Sequence, residues 1–476
     1  MAEQRDYDVI VIGAGSTGEN VADRAVKGGL SAVVVEDDLV GGDCSYWACI
    51  PSKALLRPLH ALTDAQRVAG AREALGSRPH LDAAAVLARR DAFTGNWHDG
   101  GQVAWLDGAH IALVRGHGRL AGQRRVDVTT ADGTVALSAR HAVALATGSQ
   151  PALPPVPGLA GARPWTTKDA AGAKEVPQRL VVLGGGVAGC ELAQAFAGLG
   201  SRVSVAEMAG RLLPNYEPAA GDLLAAAMRE QGIDVHTGVT ATRVGRADDG
   251  PVRVHLGDGT VLEGDELLVA AGRKPRTGDL GLETVGLEPD GWLDVDDTMT
   301  VRGIDGGWLY AAGDLNHRAL LTHQGKYQAR ACGDAIIARA HGKLDPVPWS
   351  PQAATADHYA VPQVVFTDPQ VAAVGRTEAQ AREAGLRVRS VGYPIGNVAG
   401  AALYADGYTG HARIVVDEDR GVIVGVTFVG PAVGELLHAA TIAVVGEVPL
   451  RRLWHAVPSY PTISEIWLRL LETYGL

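Results

Sequence analysis

Gly13-Ala14-Gly15-Ser16-Thr17-Gly18 follows a β-branched run at residues 8–12 and leads into an alanine-rich helical pattern, and residues 32–35 then form a second apolar run closing at Glu36. A strand that turns this sharply into a helix needs glycine for three steric reasons. Gly13 permits the tight turn, Gly15 lets the backbone approach a pyrophosphate, and Gly18 lets helix and strand pack closely, with the phosphate held at the helix N-terminus. The unit recurs at Gly184-Gly185-Gly186-Val187-Ala188-Gly189, between an apolar run at 180–183 and another at 202–206 that closes at Glu207. Glu36 and Glu207 both stand eighteen residues after the third glycine, Gly18 and Gly189. A carboxylate there accepts ribose hydroxyls, so the repeat predicts two bound dinucleotides. Glu207 would also repel a 2′-phosphate, which favours NADH over NADPH in the second site, although Arg211 lies nearby.

The remaining chain gives the frame. With 476 residues, 46% hydrophobic and 20% charged, it is long enough for several domains. A net charge of -11 disfavours nucleic acid. No segment approaches the roughly 18 apolar residues of a membrane span, and the polar start followed by a short apolar run does not read as a signal peptide, so a cytoplasmic protein is expected. Residues 110–146 look antiparallel, with alternation and an Asp-Gly turn at 132–133. The prolines at 151–157 mark a linker and a composition change near 344–351 marks a further boundary.

Chemistry concentrates in Gly41-Gly42-Asp43-Cys44-Ser45-Tyr46-Trp47-Ala48-Cys49-Ile50-Pro51-Ser52-Lys53. Two residues five apart in a regular helix have Cα atoms about 8.7 Å apart, beyond the roughly 7 Å limit of a disulfide, so a bridge here demands a distorted turn. The glycines before the pair and the proline after it suit such a turn, with a regular helix expected from Pro51. Both sulfurs then lie near a helix N-terminus, which lowers a thiol pKa. Cys190 and Cys332 read as buried small hydrophobes.

These motifs, with ATGSQPALPPVPG from Ala146, YAAGD from Tyr310 and VPQVVFTDPQVAAVGRTE from Val361, closely resemble in identity and order the two-cysteine flavoprotein disulfide reductases, the family of dihydrolipoamide dehydrogenase, glutathione reductase and mercuric reductase. The resemblance covers nearly the whole chain. It implies an α/β fold with two Rossmann-like dinucleotide-binding domains plus a C-terminal α+β dimerisation domain. The divisions would be an FAD-binding domain at 1–150, an NAD(P)-binding domain at 151–275, a central domain completing the FAD site at 276–345 and the dimerisation domain at 346–476. It implies FAD on the first loop and NAD(P)H on the second, with Gly42, Thr147, Gly148, Gly272 and Gly313 also at cofactor positions and Asp314 on the ribityl chain. Cys49 would face the flavin, Cys44 would be the interchange thiol meeting substrate, and Lys53 would pair with Glu191 to tune the ring. No resident metal is expected. The partner would be a second copy of the chain, whose C-terminal domain completes the active site.

One departure bears on the acceptor. The family usually carries His-Pro-Thr followed by a glutamate, whereas this chain reads Pro458-Ser459-Tyr460-Pro461-Thr462-Ile463-Ser464-Glu465. Tyr460 takes the place of the histidine that shuttles the thiol proton, and Glu465 keeps its own. A phenol of pKa near 10 exchanges protons poorly at neutral pH, so dithiol exchange should be slow; His455 is a poor substitute. Mercuric reductases resemble the chain in having this tyrosine, but they deliver mercury through a C-terminal cysteine pair, and the last cysteine here is Cys332. The expectation is an NAD(P)H oxidoreductase passing electrons through flavin and Cys44–Cys49 to a small-molecule acceptor, whether metal ion, quinone or specialised disulfide. The alternatives are a divergent dihydrolipoamide dehydrogenase and, less favoured, a flavin-binding redox sensor.

Overall fold

The structure is a computed structural model that describes residues 3–76, 80–248 and 250–476. Its chain divides into two compact units, each assembled from separate segments. The first comprises Met1–Pro51, Asp91–Ala152 and Arg273–His358. Its sheet runs in the order Ala112–Arg115, Ala32–Glu36, Glu3–Ile12, Gly133–Leu145, Arg125–Thr130, His117–Leu120, and Leu309–Ala311 adds beside Gly133–Leu145. Val9–Ile12 and Val33–Val35 are buried without alternation because both faces of this parallel part of the sheet are covered, by the helix Ser16–Lys27 and by the strand His117–Leu120, whose Gly118 lies against Val35 and Ile12. Above them the helix Ser16–Lys27 packs on the helix Thr322–Ala340, clamped by Arg24 on Asp334 at 2.6 and 2.9 Å.

The expected antiparallel region is real in part. Arg125–Thr130 and Gly133–Leu145 form a hairpin closed between Thr130 and Gly133, with His117–Leu120 antiparallel outside it. Ala112–Arg115, however, pairs parallel with Ala32–Glu36. It follows a helix, Gly100–Gly108, and therefore enters the sheet as a crossover strand.

The second unit comprises Ser52–Arg90, Leu153–Gly272 and Tyr359–Leu476. Residues 52–90 group with this second unit through ties such as the bidentate Arg67–Asp368 pair at 2.9 Å. A four-stranded parallel sheet, Asp234–Thr237, Arg202–Glu207, Arg179–Leu183, Glu266–Val269, carries the second glycine loop, and a three-stranded antiparallel sheet lies at 241–264. The C-terminal part is a five-stranded antiparallel sheet centred on Val422–Gly430, every residue of which is buried. The strand and helix limits of the two β-α-β units fall within a few residues of the sequence reading: Glu3–Ile12, Ser16–Lys27 and Ala32–Glu36, then Arg179–Leu183, Val187–Gly198 and Arg202–Glu207.

Candidate functional site

Gly13 has φ +100, and a Cβ there would sit 2.5 Å from the Ala146 carbonyl oxygen; one on Gly18 would come within 1.8 Å of the Gly13 oxygen. No other side chain fits either place. The second loop repeats the geometry, with Gly184 at φ +114 and a Gly189 Cβ 1.9 Å from the Gly184 oxygen, while the space beside Gly186 is open. The acids also act alike. Glu36 accepts from the Ala14 N–H at 2.7 Å and the Asp38 N–H at 2.9 Å; Glu207 accepts from Gly185 at 2.5 Å and Ala209 at 2.6 Å. Each carboxylate therefore holds its own glycine loop, and lone pairs remain on each oxygen for a ribose. Burial pushes the Glu36 carboxyl above its ordinary range against these two backbone donors.

In the first unit Gly13, Gly15 and Glu36 open onto a cleft of about 660 Å³, cofactor-sized. Gly42, Thr147, Gly148, Gly313 and Asp314 also line it, as do Cys44 and Cys49. Gly18 lies under the helix and Gly272, at φ +132, belongs to the second unit. The cradle fits an FAD: a loop of glycines at a twelve-residue helix, an acid at the next strand's end, and a half-buried carboxyl on the floor. That floor group is Asp314, held by the Ser149 hydroxyl and raised in pKa by burial.

The cysteine segment enters this cleft because Gly42 packs on Gly15 so closely that a Cβ would lie 2.8 Å from its Cα. The distorted turn is present: the helix Gly42–Tyr46 ends at Trp47 (φ -127, ψ -5), and a new helix, Cys49–Gln66, starts two residues before the expected Pro51. The break lets the two sulfurs meet although five residues part them. Both are thiols in this structure. The expected lowering of the thiol pKa does not hold for Cys44, which is raised by its hydrogen bond with Cys49 and then by burial. Two neighbouring sulfurs cannot both ionise easily. Cys49, first in an 18-residue helix, instead meets the Thr322 hydroxyl at 3.2 Å.

Thr322 was not expected from the sequence, where no spacing ties it to the cysteines; the helix Thr322–Ala340 brings it there. Equally unforeseen are Trp47 stacked on Trp97 at 4.8 Å and the arginines Arg273 and Arg276 on Asp43. Glu19, 8% exposed and without a hydrogen-bond partner on Oε1, is also new; burial raises its pKa to about 7. Cys190 and Cys332 are fully buried, and burial raises both thiols.

In the second unit Lys53 Nζ donates to Glu191 Oε2 at 2.5 Å, and Glu191 Oε1 accepts from the Phe366 N–H at 2.9 Å, with the Lys53 ammonium 5.0 Å over the Phe366 ring. Beyond Glu207 lies an opening of about 420 Å³ lined by Gly210, Arg211 and Asp222, where Arg211 is tied back to the Pro214 carbonyl at 3.0 Å. Tyr460 is 76% exposed and among the described residues makes no hydrogen bond, whereas Glu465 is buried and accepts from Arg469 at 2.8 Å. The chain therefore does not join these two positions to each other. His455 is exposed. Among the described residues no three His, Cys, Asp or Glu side chains gather as a metal site, and no helix is long and apolar enough to cross a membrane.

Residues 7–334 match the family model of the pyridine nucleotide-disulphide oxidoreductases, and residues 361–470 match the dimerisation domain of the same family. The chain belongs to this family. Pyridine nucleotide-disulphide oxidoreductases depend on FAD and NAD(P)H, and the dimerisation domain supports a homodimer. A dihydrolipoyl dehydrogenase of Haloferax volcanii is 34% identical, over 98% of this chain and 95% of its own length. A mercuric reductase of Acidithiobacillus ferrooxidans is 32% identical, over 97% of this chain and 81% of its own. Among solved structures, the Cu(II) complex of the HOCl-induced flavoprotein disulfide reductase RclA from Escherichia coli aligns over 98% of this chain and 99% of that one, with TM-score 0.83 and 25% identity.

Proposed function

We propose that this oxidoreductase takes two electrons from NADH and delivers them through the Cys44–Cys49 pair to an acceptor that needs no imidazole proton shuttle, a soft metal ion first among the candidates. The observation that carries this reading is the placing of Cys44, Cys49 and Thr322 on one cofactor cleft while tyrosine stands where the family's histidine belongs. FAD, held by the first glycine loop, Glu36 and Asp314, would supply the two-electron step between the nicotinamide and Cys49.

The residues divide the remaining work. Two electrons and two protons convert the Cys44–Cys49 disulfide to thiols. The Thr322 hydroxyl and the helix N-terminus stabilise negative charge on Cys49, and Cys44, raised in pKa beside it, keeps its own proton until an acceptor approaches. A soft cation displaces that proton directly, since thiolate is its preferred ligand, and requires no base of pKa near 7. A dithiol acceptor does require one, and an exposed phenol serves poorly. The copper complex of RclA supports Cu(II) as the first ion to test. Glu207, with Arg211 held on Pro214, supports a preference for NADH.

Anaerobic titration with NADH should give a long-wavelength absorbance band that is missing in Cys49→Ser, and a screen of metal ions, quinones and disulfides should then find fastest turnover with Cu(II). The dihydrolipoyl dehydrogenase relatives favour a second reading, that dihydrolipoamide is the physiological dithiol. Rapid reduction of NAD+ by dihydrolipoamide in the unmodified enzyme would replace the first reading with this one.

A further inference from the structure

The residue directly before the interchange thiol is an acid, and its charge is not left to solvent. Asp43 Oδ2 accepts from Arg273 at 2.9 Å and Asp43 Oδ1 from Arg276 at 3.3 Å. Both arginines stand on or beside the strand Arg273–Pro275, which pairs with Ser149–Pro151. Contacts at Arg276 fix the far end: Thr147 Oγ1 donates to the Arg276 carbonyl at 2.9 Å, and the Arg276 N–H donates to the Gly148 carbonyl at 3.1 Å. Arg273 also gives Nε to the Ser149 hydroxyl at 2.6 Å and Nη2 to its carbonyl at 2.8 Å. The Ser149 hydroxyl in turn donates to Asp314, the half-buried acid on the floor of the cleft. A continuous charge-assisted chain thus runs from the turn that bears Cys44, through Arg273 and Ser149, to the cofactor floor.

We infer that Asp43 is a positioning residue that fastens the Cys44 turn to the cofactor floor, so that flavin occupancy sets the reactivity of Cys44 through Arg273, Ser149 and Asp314. Three features argue for this. The turn Gly42–Tyr46 is only five residues long and is entered through two glycines of positive φ, Gly41 before it and Gly42 at its start, so its own backbone does little to fix Cys44. Asp43 is the acid in its first turn, and its two guanidinium partners come from a segment more than 200 residues away in sequence. Asp43, Ser149, Arg273 and Asp314 all line the cleft, and Arg273 Nε also stands 3.7 Å from Asp314 Oδ2, so a cofactor seated there loads a chain of polar contacts that ends beside Cys44. The inference rests on the proposed assignment of this cleft to FAD.

The test compares the unmodified FAD-loaded dimer with Asp43→Asn, Asp43→Glu, Ser149→Ala and the double variant Asp43→Asn/Ser149→Ala. Two quantities are read: the rate of flavin release, from the fluorescence of freed FAD, and the rate of iodoacetamide alkylation at Cys44 after reduction, located by mass spectrometry, in FAD-loaded and FAD-stripped protein. Loss of one charge-assisted link should speed flavin release roughly tenfold in Asp43→Asn. It should also erase the difference in Cys44 alkylation between loaded and stripped protein. Asp43→Glu should restore most of both, and the double variant should release flavin no faster than the worse single variant, because both break one chain. If Asp43→Asn does not fold, Arg276→Gln, which removes one of the two guanidinium links, should give the same changes to a smaller degree. Additive single effects, or an Asp43→Asn protein that loses only thermal stability while keeping unmodified flavin release and alkylation, would overturn the coupling. So would alkylation of Cys44 that ignores FAD in the unmodified enzyme. A chain that takes up no FAD at all would instead refute the cleft assignment beneath it.

Discussion

Replacing Glu19 by glutamine should make the protein more stable at pH 8 and leave it unchanged near pH 4.5. Glu19 is 8% exposed in the helix Ser16–Lys27, its Oε1 has no hydrogen-bond partner among the described residues, and the attraction of Lys326, larger than the repulsion of Glu36, offsets only part of the cost of burial. Desolvation lifts its carboxyl from 4.5 to about 7. At 1.36 kcal/mol per pKa unit, the ionised form costs about 3 kcal/mol in the folded state. The unfolded chain releases this proton near pH 4.5 while the folded chain holds it to about 7, so the folded state binds more protons between those values. This group's contribution to stability is therefore greatest below pH 4.5 and falls as pH rises to 7. Glutamine keeps the shape and cannot ionise, so the variant's advantage should grow from zero to about 3 kcal/mol across that window. For a 476-residue chain the unfolding entropy is on the order of 1 kcal/mol per kelvin. Melting curves of the flavin-free protein should then separate by about 3 °C at pH 8 and coincide at pH 4.5. A separation that is the same at both pH values, or a variant that is less stable at pH 8, would refute the reasoning.

Four further outcomes follow from the same geometry. Lys53→Met leaves the Glu191 carboxylate, 3% exposed, with only the Phe366 N–H, and should cost about 2 kcal/mol in a denaturant titration, a value reduced because Lys53 is itself a third exposed. Gly189→Ala drives a Cβ to 1.9 Å from the Gly184 oxygen and should abolish reduction by NADH while FAD stays bound; Gly18→Ala should do the converse and lose FAD, both read by absorbance. Glu207→Ala should reduce the preference for NADH, measured as the ratio of kcat/KM for NADH and NADPH, by roughly tenfold. Tyr460→His should raise turnover with dihydrolipoamide at neutral pH by at least tenfold, the low end of what a placed acid/base contributes.

The two β-α-β units, their glycine loops and their acids were legible in the residues because each is specified within about 25 positions: a steric demand at Gly13 or Gly184 and an apolar period on either side. The cysteine pair was legible for the same reason, since its spacing of five excludes a regular helix, and the broken turn at Trp47 answers that demand. Where the local code was read too simply, the structure differs. Ala112–Arg115 joined the parallel sheet because a helix precedes it, and the thiol pKa of Cys44 rose because its nearest neighbour is another sulfur rather than the helix end.

By itself, then, the sequence determined two glycine loops with their acids and a cysteine pair whose spacing demands a distorted turn, and its resemblance to the family put Tyr460 where a histidine is usual. Only the tertiary structure decided that Thr322 meets Cys49, that Asp43 is held by Arg273 and Arg276, that Ser149 links Arg273 to Asp314, and that Glu19 is buried without a partner. The physical reason is range. Steric and periodic constraints act between neighbours along the chain, whereas these contacts join residues more than 100 positions apart, and their existence depends on which strands pair and which helices cross.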